Sequence, residues 1–227
     1  MTEREKILAR VREALKVTAP VPGSHGETHL PASTKNISTA RQWLPKVGES
    51  FDEQLALFAR NAAELKADFQ LLNSVDEARQ TLLRLRESEN WKRAACHSGG
   101  LTDAICPPLN IPLLRTDKPY DVHELETCDV GISECDALVA QTGSVLVTNR
   151  SAGGRALSVL PPHHIVLARR EQLVADLPAA FELLHQKYAE NYPSMISFIT
   201  GPSRTGDIER ILVLGAHGPK KLTILCF

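Results

Sequence analysis

Apolar residues recur at helical spacing near the start of the chain, and the opposite face of the same segment is charged. The apolar positions are Ile7, Leu8, Val11 and Leu15. The other face carries Arg4, Lys6, Arg10, Arg12 and Glu13, so the segment predicts an amphipathic helix with a surface or partner-facing role.

A segment without periodicity follows this helix. Residues 18–38 hold three prolines and two glycines, a composition typical of a linker or an extended arm. We therefore predict a helix and a Pro/Gly-rich arm over residues 1–38, followed by one folded domain over residues 39–227.

Helical and strand-like patterns alternate through the rest of the chain. One helix is predicted over residues 51–66, a second begins after Ser74, which with Glu77 has the spacing of a capping box, and a third covers residues 171–188. Strands are predicted at residues 69–72, 93–96, 129–133, 137–141, 145–148, 164–168, 196–200, 212–214 and 222–227. This alternation predicts an α/β fold whose sheet is covered on both faces.

Charge and composition exclude several classes of function. The 26 Lys and Arg residues against 27 Asp and Glu leave a net charge of -1, which argues against a nucleic-acid-binding face. The charged N-terminus does not resemble a signal peptide, and no run approaches the ~20 apolar residues that cross a bilayer. We expect a soluble, cytoplasmic protein without a membrane span.

Five cysteines are scattered along the chain without a CxxC pair, so the sequence predicts reduced thiols and no metal site. A metal held by Cys128, Cys135 and His123 is a weaker alternative.

The densest group of polar side chains follows the strand predicted at residues 196–200. Ser203, Arg204, Thr205 and Asp207 lie in a Gly-Pro loop ahead of a predicted helix, an arrangement typical of anion binding. Thr205 stands where a nucleophile elbow would need its second glycine, so Ser203 is expected to donate hydrogen bonds instead of attacking a substrate. Asp207 has an alternative role, as a carboxylate that complements a helix N-terminus.

Other candidate ligand-binding residues lie in three places. The turn between two predicted strands contains Gln141, Thr142, Gly143 and Ser144, and it is either a plain hairpin turn or a ligand loop. Arg155 offers a guanidinium for a carboxylate or phosphate, and His163 and His217 are candidates for acid–base chemistry. The adjacent His163 and His164 are expected to point to opposite faces of the sheet.

Three stretches resemble the lactate-utilisation protein C family, whose shared module is the LUD domain. They are DVGISECDALVAQTGSVLV at 129–147, LSVLPPHHIVLA at 157–168 and SFITGPSRTGDIERILVLGAHGPKKLTILC at 197–226. The resemblance implies a Rossmann-like three-layer α/β sandwich, similar to the ribose-phosphate isomerase and CoA-transferase-like fold, with an N-terminal helical extension.

The resemblance also implies a role in a three-protein system that oxidises L-lactate to pyruvate. Because this chain lacks cluster-binding cysteine motifs, it resembles the subunit without a redox centre. No cofactor is expected in this chain; iron–sulfur clusters are expected in partner subunits, with a small anionic metabolite as ligand. A homo-oligomer is compatible with the sequence.

One position departs from the family pattern, since Gln141 stands where the family often carries Glu. An amide cannot form the acyl intermediates that a carboxylate nucleophile forms, which weakens covalent CoA transfer. The working hypothesis is that Thr142, Ser144, Arg204 and Thr205 hold a small carboxylate or phosphate. The alternatives are a free-standing transferase, isomerase or cyclo-ligase for phosphorylated, acyl-CoA or folate substrates, and a ligand-sensing module.

Overall fold

The chain divides into two compact units, Met1–Leu44 and Pro45–Phe227. The computed structural model describes residues 3–14, 16, 44–205, 213–215 and 217–227. In the first unit, the predicted N-terminal helix is present as α1, Glu3–Ala14, with Ile7 and Leu8 exposed. The division into residues 1–38 and 39–227 stays a prediction.

The second unit contains five further helices and twelve strands among its described residues. The helices are α2 Phe51–Glu64, α3 Val75–Glu89, α4 Gly100–Ile105, α5 Val122–Glu126 and α6 Leu177–Tyr188. The strands are β1 Asp68–Leu71, β2 Ala94–Cys96, β3 Leu113–Arg115, β4 Val130–Glu134, β5 Ala137–Val139, β6 Ser144–Thr148, β7 His163–Ala168, β8 Leu173–Val174, β9 Ile196–Ile199, β10 Arg204–Thr205, β11 Val213–Leu214 and β12 Lys221–Cys226.

Six of these strands form a parallel sheet in the order β1-β12-β7-β4-β2-β3. The central strands β7 and β12 are almost entirely buried, as expected for continuous apolar runs in a sheet covered on both faces. A second, mixed sheet has the order β8-β5-β6-β9, and β10 pairs with β11 in an antiparallel ribbon. The mixed α/β class with a mostly parallel central sheet is confirmed.

The core lies on the two faces of the parallel sheet. Helices α3 and α4 cover one face, where Leu82 and Ile105 pack against Ile132 and Ile165. Helix α2 and the second sheet cover the other face, and α6 packs on the outer side of the second sheet. Every side chain on β4 and β7 except Glu134 is therefore buried, which fixes the register of the strands that carry the candidate site residues.

Two local expectations are corrected by the structure. The third predicted helix begins at Leu177, not at residue 171, because residues 170–174 form a 3-10 turn and the short strand β8, and Asp176 caps the helix by accepting a hydrogen bond from Ala179 N. Glu77 does not complete a capping box with Ser74. Its carboxylate accepts a hydrogen bond from Asn73 N instead.

Strand β4 joins the parallel sheet, whereas β5 and β6 form a hairpin in the second sheet, so the three strands predicted at residues 129–148 do not form one ladder. In the described part of the chain, no helix is long and apolar enough to span a membrane.

Candidate functional site

The β5–β6 turn packs tightly against helix α2. Gly143 has a φ of 63°, and a Cβ at this position would lie 2.8 Å from Ala62 N and 2.9 Å from the carbonyl carbon of Asn61. The Asn61 amide donates hydrogen bonds of 2.9 Å to the carbonyls of Ala140 and Gln141. The close backbone approach that requires glycine here is therefore made to a helix.

The side chains of this turn are held mainly by protein contacts. Gln141 Nε2 donates a 3.0 Å hydrogen bond to the carbonyl of Pro45, and the Ser144 and Thr200 hydroxyls lie 2.8 Å apart. Gln141 Oε1 and Thr142 Oγ1 are buried and have no hydrogen-bond partner among the described residues. These two atoms could each form a further hydrogen bond, but neither is accessible to solvent.

The segment after β9 lies near the amino ends of β7 and β12. Ser203 N donates to the carbonyl of Pro219, and Gly215 N donates to the carbonyl of Ser203, both at 2.9 Å. Lys220 N donates at 2.8 Å to Pro162 O, directly before β7. These bonds bring the loop that contains Ser203 to the loop that contains His217.

The chemistry predicted for this segment is only partly visible. Arg204 and His217 are exposed to solvent. The side chain of Thr205, the whole of Asp207 and the helix predicted after them lie outside the described residues. Ser144 adjoins Thr200, three residues before Ser203, so the structure places the two predicted loops next to each other.

His163 and His164 point to opposite faces of the sheet, as predicted. His163 Nε2 lies 2.9 Å from Thr223 Oγ1, and its ring stacks edge-on against Trp91. His164 Nε2 lies 2.8 Å from Ser133 Oγ. Burial lowers the pKa of His163 to about 4 and the pKa of His164 to about 3, so both rings are neutral near pH 7. Both face the core instead of a cleft.

Arg155 lies in a cleft at the other end of β9 from the Ser144–Thr200 pair. It precedes the 3-10 helix Ala156–Ser158 and is exposed. The Arg155 cleft has a volume of about 340 Å³ and is lined by Arg155, Ser158 and Val159 on one side and by residues 194–197 on the other. Among the predicted ligand-binding residues, Arg155 therefore stands apart from the two loops described above.

A second cleft, of about 390 Å³, contains Arg150 and the end of α6. Asp136 Oδ1 accepts hydrogen bonds from Lys187 Nζ at 2.6 Å and from Tyr188 OH at 2.7 Å, and the Arg150 guanidinium lies 5.3 Å from the centre of the Tyr188 ring. Burial alone would raise the pKa of Asp136, but hydrogen bonds from Lys187, Ser151 and Tyr188 outweigh it and keep the pKa below its usual value. This network anchors α6 to the start of β5.

Two residues that the sequence analysis missed lie at the carboxyl edge of the parallel sheet. The strand order reverses between β2 and β4, and open α/β sheets bind ligands outside the carboxyl ends of such strands. His97 directly follows β2, Glu134 ends β4, and Glu134 N donates to His97 Nε2 at 3.2 Å. A polar residue directly after the buried run Ala94–Cys96 was the signal that could have identified this edge.

The crevice at this edge is filled by protein groups. Glu134 Oε1 accepts hydrogen bonds from Leu101 N at 2.8 Å and Thr102 N at 3.1 Å, at the start of α4. A Cβ on Gly99 would lie 2.2 Å from the same oxygen, so a glycine is needed beside it. The Glu134 carboxylate therefore occupies the N-terminus of α4, where exposed N–H groups could otherwise bind an anion.

The thiols and potential metal ligands give no cluster in the described part of the chain. All five cysteines are buried, and burial raises the pKa of Cys226 to about 11. No group of three or more His, Cys, Asp or Glu side chains among the described residues is arranged to hold a metal ion. The alternative site at Cys128, Cys135 and His123 is accordingly not assembled: both thiols are buried, whereas the His123 side chain is 87% exposed.

Comparison with known proteins gives a consistent set of relatives. A family model described as the LUD domain matches residues 55–226. Lactate utilization protein C from Shouchella clausii is 29% identical over 178 residues, which cover 76% of this chain and 78% of that protein. Lactate utilization protein C 1 from Bacillus mycoides is 37% identical over 105 residues, but this alignment covers only 45% of either chain.

A solved structure shares the fold. A DUF162 family protein from Deinococcus radiodurans matches with a TM-score of 0.62 at 20% identity, over 79% of this chain and 99% of that one. The similarity to ribose-phosphate isomerases and CoA transferases stays a prediction.

Proposed function

Because the chain belongs to the LUD domain family, we propose that it acts in lactate utilisation, as the subunit without a redox centre in an iron–sulfur system that oxidises L-lactate to pyruvate. The observation that carries this proposal is the alignment over 178 residues with a protein named for lactate utilisation. Within the system, the chain binds a small anionic metabolite or supports assembly of the complex.

The cysteine chemistry supports a role without electron transfer by this chain alone. The thiols are spread over three apolar clusters in the described structure, and the sequence contains no CxxC motif that would hold an iron–sulfur cluster. An iron–sulfur cluster that takes part in the oxidation of lactate is therefore expected to be held by another chain, and we propose iron–sulfur partner subunits for that purpose.

A free-standing acyl transferase receives less support. The position that would carry the acyl-accepting carboxylate is Gln141, and its amide is bonded to Pro45 O. An amide in this position holds the turn and has no nucleophilic oxygen comparable to a carboxylate.

Deletion of the gene and recovery of the tagged protein test the proposal together. We expect the deletion strain to lose growth on L-lactate but not on pyruvate, and we expect the full-length tagged chain to co-purify with a protein that carries iron and labile sulfide. Normal growth of the deletion strain on lactate would exclude the proposed role. Oxidation of lactate by the purified chain alone would exclude the non-redox assignment.

A further inference from the structure

We propose that the Arg155 cleft binds a short carboxylate, that is, a carboxylate group attached to a small body that is apolar or carries one hydroxyl or keto oxygen. The inference rests on the proposed function only in that lactate and pyruvate belong to this chemical class. Its physical basis is a guanidinium without a partner among the described residues, a small cleft lined by both serine and apolar side chains, and walls that hydrogen bonds within the protein hold in place.

The charge in the cleft is uncompensated. Arg155 is exposed, and its guanidinium forms no hydrogen bond or ion pair with any residue in the described part of the chain. By contrast, the guanidinium groups of Arg79 and Arg115 are paired with Asp76 and Asp103. A free guanidinium offers a planar fork of donors that matches the two oxygens of a carboxylate.

The walls of the cleft select a small ligand with an apolar part. Ser158, Ser194 and Ser197 provide hydroxyl groups, and the Ser158 hydroxyl already donates to Arg155 O at 3.1 Å. Val159 and Ile196 remain 36% and 38% exposed, so the cleft has an apolar surface that a ligand can cover. A volume of about 340 Å³ is at the lower end for ligand sites and suits a compact molecule.

Both walls are fixed to the same point of the second sheet. Asn149 N donates to Met195 O at 3.2 Å, and Met195 N donates back to Asn149 Oδ1 at 3.3 Å. The loop between Asn149 and Arg155 is held further by the 2.7 Å bond from Thr116 Oγ1 to Gly153 O. Binding therefore orders few groups, which reduces the entropic cost for a weakly held ligand.

Calorimetric and NMR titrations of the full-length protein test the proposal. Lactate, pyruvate and propionate are the probes, and inorganic phosphate is the competing anion. For such small ligands we expect dissociation constants of about millimolar, with phosphate weaker, and shifts of the backbone amide signals of residues 194–197 and Ser158. Phosphate binding tighter than all three carboxylates, or amide shifts confined to other regions, would overturn the proposal.

Two matched substitutions on the same loop sharpen the test. Arg155→Gln removes the charged fork at an exposed position, so we expect correct folding and carboxylate binding weakened by about tenfold or more. Arg150→Gln makes the same change in charge outside the cleft and should leave binding unchanged. Equal binding by the wild type and Arg155→Gln, or loss of binding in Arg150→Gln, would place the ligand elsewhere.

The outcomes separate this inference from the proposed function. Carboxylate binding that depends on Arg155, in a protein whose deletion does not affect growth on lactate, would retain the site and exclude the lactate role. Loss of growth on lactate in the deletion strain, with growth restored by the Arg155→Gln gene and no carboxylate binding by wild type, would retain the role and exclude the site.

Discussion

The Gln141 side chain makes a hydrogen bond that a carboxylate cannot make, because its amide donates to a backbone carbonyl. Gln141 Nε2 donates to Pro45 O at 3.0 Å, and Oε1 is buried with no partner in the described part of the chain. In Gln141→Glu a carboxylate oxygen would face the Pro45 carbonyl, and the donor would be lost. We expect the free energy of unfolding to fall by about 1–3 kcal/mol, measured by urea denaturation at pH 7.5.

A glutamine elsewhere provides the control for this substitution. Gln80 is exposed on α3, and the described structure gives its side chain no hydrogen bond. Gln80→Glu introduces the same charge into the protein and should change the free energy of unfolding by less than about 0.5 kcal/mol. Equal stability of Gln141→Glu and Gln80→Glu would show that the bond to Pro45 contributes nothing.

The buried histidines make stability depend on pH below neutrality. Burial lowers the pKa of His163 to about 4 and that of His164 to about 3, whereas a histidine in the unfolded chain titrates near ~6.5. The unfolded state therefore binds protons that the folded state does not. Stability is complete above about pH 6.5 and is lost progressively as the pH falls toward the folded-state values.

When the pH is lowered from 7.5 to 5, we expect the free energy of unfolding to fall by about 1–2 kcal/mol for each of these two histidines. Urea denaturation at both pH values measures this change. His164→Gln should reduce this change by the contribution of one histidine. A His164→Gln protein with the full pH dependence would contradict this explanation.

The β5–β6 hairpin packs against α2 at Gly143, where there is no space for a side chain. A Cβ at position 143 would lie 2.8 Å from Ala62 N, in the backbone of a helix that cannot move independently of the core. We expect Gly143→Ala to lower the free energy of unfolding by about 2–4 kcal/mol in urea denaturation.

Lys66 separates the cost of the backbone angle from the cost of the clash. Its φ of 67° is close to the 63° of Gly143, and its side chain is exposed. The stability difference between Lys66→Ala and Lys66→Gly should therefore be about 1 kcal/mol or less, the cost of a Cβ at this angle alone. If Gly143→Ala lowers the free energy of unfolding by no more than this difference, a Cβ at position 143 does not clash with the backbone of α2.

Local pattern predicted the central strands well, because β7 and β12 are short, mostly apolar runs that are typical of strands buried on both faces of a sheet. It misplaced the start of α6, since residues 171–174 have no local signal that distinguishes a helical turn from the pairing of β8 with β5. The second sheet was also not predicted, because local sequence does not indicate which strands pair. Whether β5 and β6 join β4 or leave its ladder is decided by packing between distant residues.

The sequence identified candidate site residues, but it did not show which of them lie next to each other in the fold. The contact between Ser144 and Thr200 joins residues 56 positions apart, and the contact between Glu134 and His97 joins residues 37 positions apart. Residue type identified the first pair of loops, whereas the pairing of His97 with Glu134 follows only from the strand order. Arg155 was predicted from its donors alone, and only the fold separates it from the other candidates.

The first residues of the second unit contribute to its stability, which truncation of the chain can measure. Among the described residues, the hydrophobic clusters of the second unit begin at Val47, and the bond from Gln141 requires Pro45. A chain that begins at Pro45 keeps all of these groups, so it is the reference for a chain that begins a few residues later. Urea denaturation followed by circular dichroism measures both proteins.

A slightly shorter chain gives the decisive comparison. Starting at Glu49 removes the Pro45 carbonyl, the side chain of Val47 and the Gly48 carbonyl that accepts a 3.0 Å bond from Gln54 Nε2. We expect this protein to lose about 2–4 kcal/mol relative to the chain that begins at Pro45, because one apolar contact and two hydrogen bonds disappear together. Equal stability of the two truncated chains would mean that the core needs nothing before α2.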